Sequence, residues 1–286
     1  MKTTIMKYLI KISLFALVLG ITNQLNGQNI SRTVSNVTNN TGSLKQYKIP
    51  MTSGTLNIVD INEVRIEGYS GSEVVFSTMV EDNERNERAA GLKLVNSLGL
   101  EDNTGFGISV SKEGNSATAR QLSDNCSCNE ITIKVPRGVD ISITHRTHDA
   151  EDILIQNVSS EVEISTTYHN VKLENVTGPM AIKTVHGSID ARFSSLSQNG
   201  SVSLYSAHDF VDVTIPTNAK MNVSIEAPYG DVYSNAEINI TKKSTSNNSN
   251  SCYSGSSIDG TLNGGGVEFS IKSAHDDVYL RQGGSK

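Results

Sequence analysis

The sequence predicts an all-β chain in which short strands stack as successive coils. Three observations carry this expectation. Apolar and polar residues alternate over short stretches along most of the chain, the pattern of a strand with one buried face. Val and Ile dominate the apolar positions, and both suit a pleated surface. A turn signature, His or Tyr followed by Gly, Asn or Asp and then a strand, returns about every 20 residues.

The chain begins with Lys2, Lys7 and Lys11 ahead of an apolar run from Ile12 to Ile21, and Asn23, Asn26 and Gly27 follow. A basic stretch, a short apolar core and a small residue at the exit form the pattern of a secretory signal peptide. Residues 1–27 are therefore expected to be cleaved off after Gly27. The run is about half of the ~20 residues needed to span a bilayer, and no later segment is apolar enough to cross one. The expected location is the periplasm, the cell surface or the medium.

The full chain of 286 residues carries a formal charge of −6. Without residues 1–27 it keeps 21 basic and 30 acidic side chains, so 21 − 30 = −9. Such a balance disfavours nucleic acid, whose backbone is held by Lys and Arg. Three cysteines, Cys126, Cys128 and Cys252, leave one thiol over. Export permits a disulfide. Cys126 and Cys128 stand too close in sequence to bridge each other easily, so the expected pairing is Cys252 with Cys126 or Cys128.

Residues 28–43 are polar and read as a flexible lead-in. Residues 44–130 read as an N-terminal β region, more sandwich-like than the remainder of the chain, with strands around Leu56 and Ile58, Val64 and Ile66, Glu73–Val80 and Gly107–Ser111. The charged stretch from Glu81 onward breaks the alternation, and Ala89, Leu92 and Val95 then fall at helical spacing. A short inserted helix is expected near residues 84–97.

Residues 131–282 read as a strand-repeat region. The aromatic turn residue stands at His148, His169, His186, His208, Tyr229 and His275. A longer echo joins Ile131–Ile143, I-T-I-K-V-P-R-G-V-D-I-S-I, to Val211–Val223, V-D-V-T-I-P-T-N-A-K-M-N-V. Residues 242–265 are rich in Ser, Asn and Gly and read as a loop unable to bury enough apolar surface to fold by itself. One coil of such a repeat cannot bury its own apolar face, whereas stacked coils share one core. The favoured architecture is a β-solenoid resembling a right-handed parallel β-helix, and the alternative is an antiparallel β-sandwich.

The units T-V-H-G-S-I-D-A (184–191), A-P-Y-G-D-V-Y (227–233) and S-A-H-D-D-V-Y-L (273–280) resemble those of the bacterial putative adhesins with β-strand repeats. The entry L-K-Q-Y-K-I-P (44–50), with L-N-I-V-D and V-R-I-E-G-Y after it, is similar to the start of that family. The resemblance spans most of residues 44–282. It implies an envelope or extracellular repeat domain and supplies no catalytic residues.

No nucleophile elbow, zinc-protease or phosphate-loop motif occurs. Asp149, Asp209 and Asp276 share a turn position where Asp commonly bonds the backbone. With no Trp and 5% aromatic residues, few sugar-stacking platforms are expected. Stacked coils would bring His148, His169, His186, His208 and His275 into a ladder about 4.8 Å apart. Such a ladder is foremost a packing device, with metal or anion binding as the sharper alternative. No catalytic residue, cofactor or metal is expected. The functional expectation is a non-enzymatic adhesive or binding module whose partner is a protein or polysaccharide at the surface or in the envelope. A structural or regulatory envelope component and a polysaccharide-active β-helix enzyme are the alternatives.

Overall fold

The computed structural model describes residues 42–81, 88, 91–122, 130–147, 152–243 and 255–283. The expected signal peptide, His148, Asp149 and all three cysteines lie outside them. Within them are twenty-one strands, arranged in two mixed sheets of ten and eleven strands.

The central part winds as the repeat predicts. Val139–His145 (β8), Val162–Thr166 (β10), Met180–Thr184 (β12) and Val202–Ser206 (β14) lie side by side in the larger sheet. Ile153–Gln156 (β9), Val171–Val176 (β11), Ile189–Phe193 (β13) and Val211–Ile215 (β15) lie side by side in the smaller one. Each strand pairs parallel with the strand two places on, so one coil is one strand from each sheet. The Asn199-Gly200 turn therefore joins two sheets rather than closing a hairpin.

Register places like residues on like. Ile143, Ile164, Ile182 and Leu204 form one inward column, and Ile155, Leu173, Ala191 and Val213 form the facing one. All eight are at most 3% exposed. Full burial of each larger aliphatic side chain stabilises the fold by about 1.5–3 kcal/mol. Phe193 and Phe269 meet edge to face at 5.4 Å within this core.

Coil order departs from chain order at both ends. Gly54–Val59 (β2) and Val64–Tyr69 (β3) form a coil of the same parallel stack. That coil lies between β8/β9 and the pair Ser116–Gln121 (β6) and Ile131–Pro136 (β7). Likewise Val267–Ser273 (β20) and Val278–Gln282 (β21) lie between β14/β15 and the pair Met221–Ala227 (β16) and Val232–Ser234 (β17). The crossovers β7 to β8 and β15 to β16 each step over a coil supplied by a distant part of the chain. These two crossovers are the echoed sequences, and Pro136 and Pro216 stand where each leaves its strand.

Antiparallel strands close the edges. Gly42–Pro50 (β1) pairs with Glu73–Glu81 (β4), and Ile108–Glu113 (β5) pairs with β6. Asn239–Lys243 (β18) and Ser256–Leu262 (β19) extend the larger sheet beyond β16. The N-terminal region is thus antiparallel only at its margin, and β2 and β3 belong to the stack.

Two local expectations are corrected. Among the described residues there is no α-helix near 84–97. Gly91 and Gly99 take left-handed φ values of 78° and 74°, and Val95 bridges Glu101. The Asn96 carboxamide accepts the N–H groups of Leu98 and Leu100, a local turn that competes with helix. Leu92 and Val95 remain 73% and 55% exposed, so the helical spacing finds no core to face. Within 242–265, Ser256–Leu262 is strand rather than loop. It is held by pairing with β16 on one side and β18 on the other, and Leu262 is buried. A Ser/Gly-rich segment forms such a strand only when an existing edge supplies its partner.

Candidate functional site

Five successive coils, from β10/β11 onward, turn from the larger sheet to the smaller through four residues. These are 167–170 after β10, 185–188 after β12, 207–210 after β14, 274–277 after β20 and 228–231 after β16. The second residue of each corner carries a ring: Tyr168, His186, His208, His275 and Tyr229. In spatial order these rings stack with centroids 5.4, 4.8, 4.9 and 5.0 Å apart, tilted from one another by 15°, 7°, 8° and 7°. The spacing is that of neighbouring strands. Tyr168 is half-buried, and the other four rings are exposed.

A buried hydroxyl column holds the corners. Thr166, Thr184, Ser206 and Ser273 stand two residues before the ring and are at most 3% exposed. Ser206 Oγ accepts the Asp209 N–H at 3.1 Å and donates to the Gly187 carbonyl of the neighbouring coil at 2.8 Å. Ser273 Oγ accepts the Asp276 N–H at 3.0 Å and donates to the Asp209 carbonyl at 2.9 Å. Thr184 Oγ1 treats Gly187 N–H and the His169 carbonyl in the same way. Thr184, Ser206 and Ser273 each tie their own corner shut and to the neighbouring coil, which fixes the ring above. The sequence signal was present as a Thr or Ser two places before each of these four rings, and the aromatic signature alone passed over it.

The histidine ladder is therefore partly as expected and partly not. His186, His208 and His275 are in it. His169 is not, because Tyr168 occupies the ring position and His169 falls one residue later, at the third place of the corner, held elsewhere by Gly187, Asp209, Asp276 and Gly230. There His169 is 1% exposed and packs against His145, also 1% exposed. His145 Nδ1 meets His169 Nε2, and His145 Nε2 lies 3.3 Å from Asn62 Oδ1 and from Thr147 Oγ1. Asn62 Oδ1 can only accept, so the consistent tautomer has His145 donating from Nε2 and accepting from His169 at Nδ1. Burial, reinforced by His169, lowers the His145 pKa to about 4.

A second aromatic strip lies on the outer face of the smaller sheet. Tyr279 and Tyr233 stack at 5.3 Å and 13°. Arg281 sits over Tyr279 at 5.5 Å and forks onto Asp212 at 2.9 and 2.7 Å. The Tyr279 phenol donates to Asp277 Oδ2 at 3.1 Å, which raises its pKa. The neighbouring Asp231 carboxylate, then Asp277, raises that of Tyr233. The exposed imidazoles run parallel at strand spacing instead of converging on one point. A metal bound at about 2.0–2.1 Å per nitrogen needs converging donors. Among the described residues no group of three His, Cys, Asp or Glu side chains is placed to hold a metal ion.

Residues 146–281, covering both strips, match the sequence profile of Toastrack DUF4097. This segment is similar to the Toastrack DUF4097 family. The part of the stack formed by β2, β3 and β4–β7 lies outside the matched Toastrack residues and completes one end of it. Three solved structures are similar to this chain at low identity. A putative cell adhesion protein from Clostridium sporogenes is 12% identical, with 85% of this chain and 100% of that one covered and a TM-score of 0.45. A putative adhesin from Parabacteroides distasonis is 10% identical over 85% and 98% of the two chains, with a TM-score of 0.32. One from Bacteroides fragilis is 9% identical over 84% and 97%, with a TM-score of 0.27. No curated protein matches the chain. Among the described residues no helix is long and apolar enough to cross a membrane.

Proposed function

We propose that this chain is an exported, non-catalytic binding module of the cell envelope or surface. In this reading the ring-lined edge of its coil stack engages a protein or polysaccharide. One observation carries it: the rings at the corners are held outward by a buried hydroxyl column while the core is filled by aliphatic columns. The apolar start of the sequence supports export, and a stacked, repetitive edge suits a partner contacted at several weak points.

The test is binding of the purified chain to envelope fractions and to immobilised envelope polysaccharides, with released sugar assayed in parallel. Saturable binding without release is expected. Sugar release would make the chain an enzyme, and recovery with a single membrane protein would favour the regulatory alternative.

A further inference from the structure

Among the described residues the ring stacks end at the coil β16/β17, and there they differ from the positions inside. His186, His208 and His275 each have a ring on both faces, so only their edges reach solvent. Tyr229 has His275 on one face and is 64% exposed, and Tyr233 has Tyr279 on one face and is 51% exposed. Both tyrosines belong to the terminal coil, and both stacks run along the coil axis at strand spacing. Their uncovered faces therefore point the same way, out of the end of the smaller sheet. Asp231 lies between them in sequence, is exposed, and acts on the Tyr233 phenol.

Asn235 Oδ1 accepts the Gln282 N–H at 2.7 Å, and Ala236 and Ile238 pack against the core as the chain crosses to β18. β17 itself is three residues long and follows a carboxylate. Short, charged edges discourage the addition of another strand. The two rings also lie side by side instead of converging into the cage that holds an alkylammonium. A flat apolar ring face beside a carboxylate matches a pyranose, whose C–H face stacks on the ring while its hydroxyls donate to the carboxylate.

We propose that Tyr229, Asp231 and Tyr233 form a glycan-binding platform at the end of the stack. This rests on the binding-module reading and locates its ligand contact. The rings inside the ridge order the platform, and the glycan contact lies at the end of the edge. The chain has no Trp and nine Tyr, so a change in tyrosine fluorescence on binding is assigned to these rings by its loss in Tyr229→Ala and Tyr233→Ala.

The experiment titrates the purified full chain with soluble hexasaccharides of β-1,4-linked glucose, mannose and N-acetylglucosamine. Saturable binding to at least one is expected. Tyr229→Ala and Tyr233→Ala should each weaken it ten-fold or more, and Asp231→Asn several-fold. His208→Ala, in the middle of the ridge, should leave it within two-fold. Because the three platform side chains are exposed, unchanged thermal melts are expected for these variants. Binding sensitive to His208→Ala but not to Tyr229→Ala would move the contact to the ridge and overturn the platform while leaving the binding-module reading intact. Failure to bind any hexasaccharide, or capture of an extended peptide that Tyr233→Ala abolishes, would overturn the glycan assignment. Failure to bind envelope fractions as well would remove both readings.

Discussion

Histidine occupies two environments along one edge of the stack. At the corner after β10, His169 is turned inward against His145, and both are sealed from water. At the next three corners His186, His208 and His275 lie outside, ring on ring. The residue type is the same, and a one-residue shift within a four-residue corner separates the two fates. The inner place is tied to the hydroxyl column and the backbone of the adjacent coil, so its occupant determines stability and acid response. The outer place determines what the surface presents. Substitutions at the inner places should therefore unfold the chain, and those at the outer ones should not.

The sharpest test of this contrast is Gly187, the inner residue beside His169. A β-carbon there would lie 1.9 Å from the His169 carbonyl oxygen. Gly187→Ala forces the backbone of two coils apart and should cost more than about 3 kcal/mol, read as a fall in the denaturation midpoint. Next comes the buried pair. His145 titrates near 4 when folded against 6.5 as a free side chain. Between those values the unfolded chain binds more protons, so stability falls as pH drops. The contribution is full above about pH 6.5 and is lost by about pH 4, a change on the order of 3 kcal/mol. Denaturation midpoints measured across pH 4–7 should show this slope, and His145→Leu should flatten it. An unchanged slope would mean that the pair does not govern the acid response.

Ser206→Ala should cost about 1–3 kcal/mol, since it leaves the Gly187 carbonyl and the Asp209 N–H in a buried corner without their shared hydroxyl. The smallest effect belongs to the outer place. His208→Ala removes two ring contacts on an exposed edge and should cost about 1 kcal/mol. A cost for His208→Ala matching that for Ser206→Ala would erase the distinction between the two positions.

Much of the architecture was legible because its determinants are local. Alternation such as Val162, Ile164 and Thr166 marks a strand wherever it lies, and a ring before a short strand marks a corner. The ladder was read with the wrong member at Tyr168-His169 because adjacent aromatic residues fit one signature equally well. The Thr or Ser two places earlier, aligned with its counterparts, selects Tyr168. The helix expected near 84–97 rested on spacing alone, and a helical face without a core to cover gains little from forming. The platform at Tyr229 and Tyr233 was invisible for another reason. These tyrosines differ from Tyr279 in that no ring among the described residues is stacked beyond them.

By itself, the sequence determined an all-β chain, the period near 20 residues, the inward aliphatic columns and a ring at each corner. All of these follow from the chemistry of residues a few places apart. Only the tertiary structure decided the order of the coils. Strand pairing is indifferent to how far apart its partners lie in the chain. So β2/β3 and β20/β21 fill places that β7–β8 and β15–β16 step over, and His275 comes to rest between His208 and Tyr229. That order makes Tyr229 and Tyr233 the last rings of their stacks among the described residues.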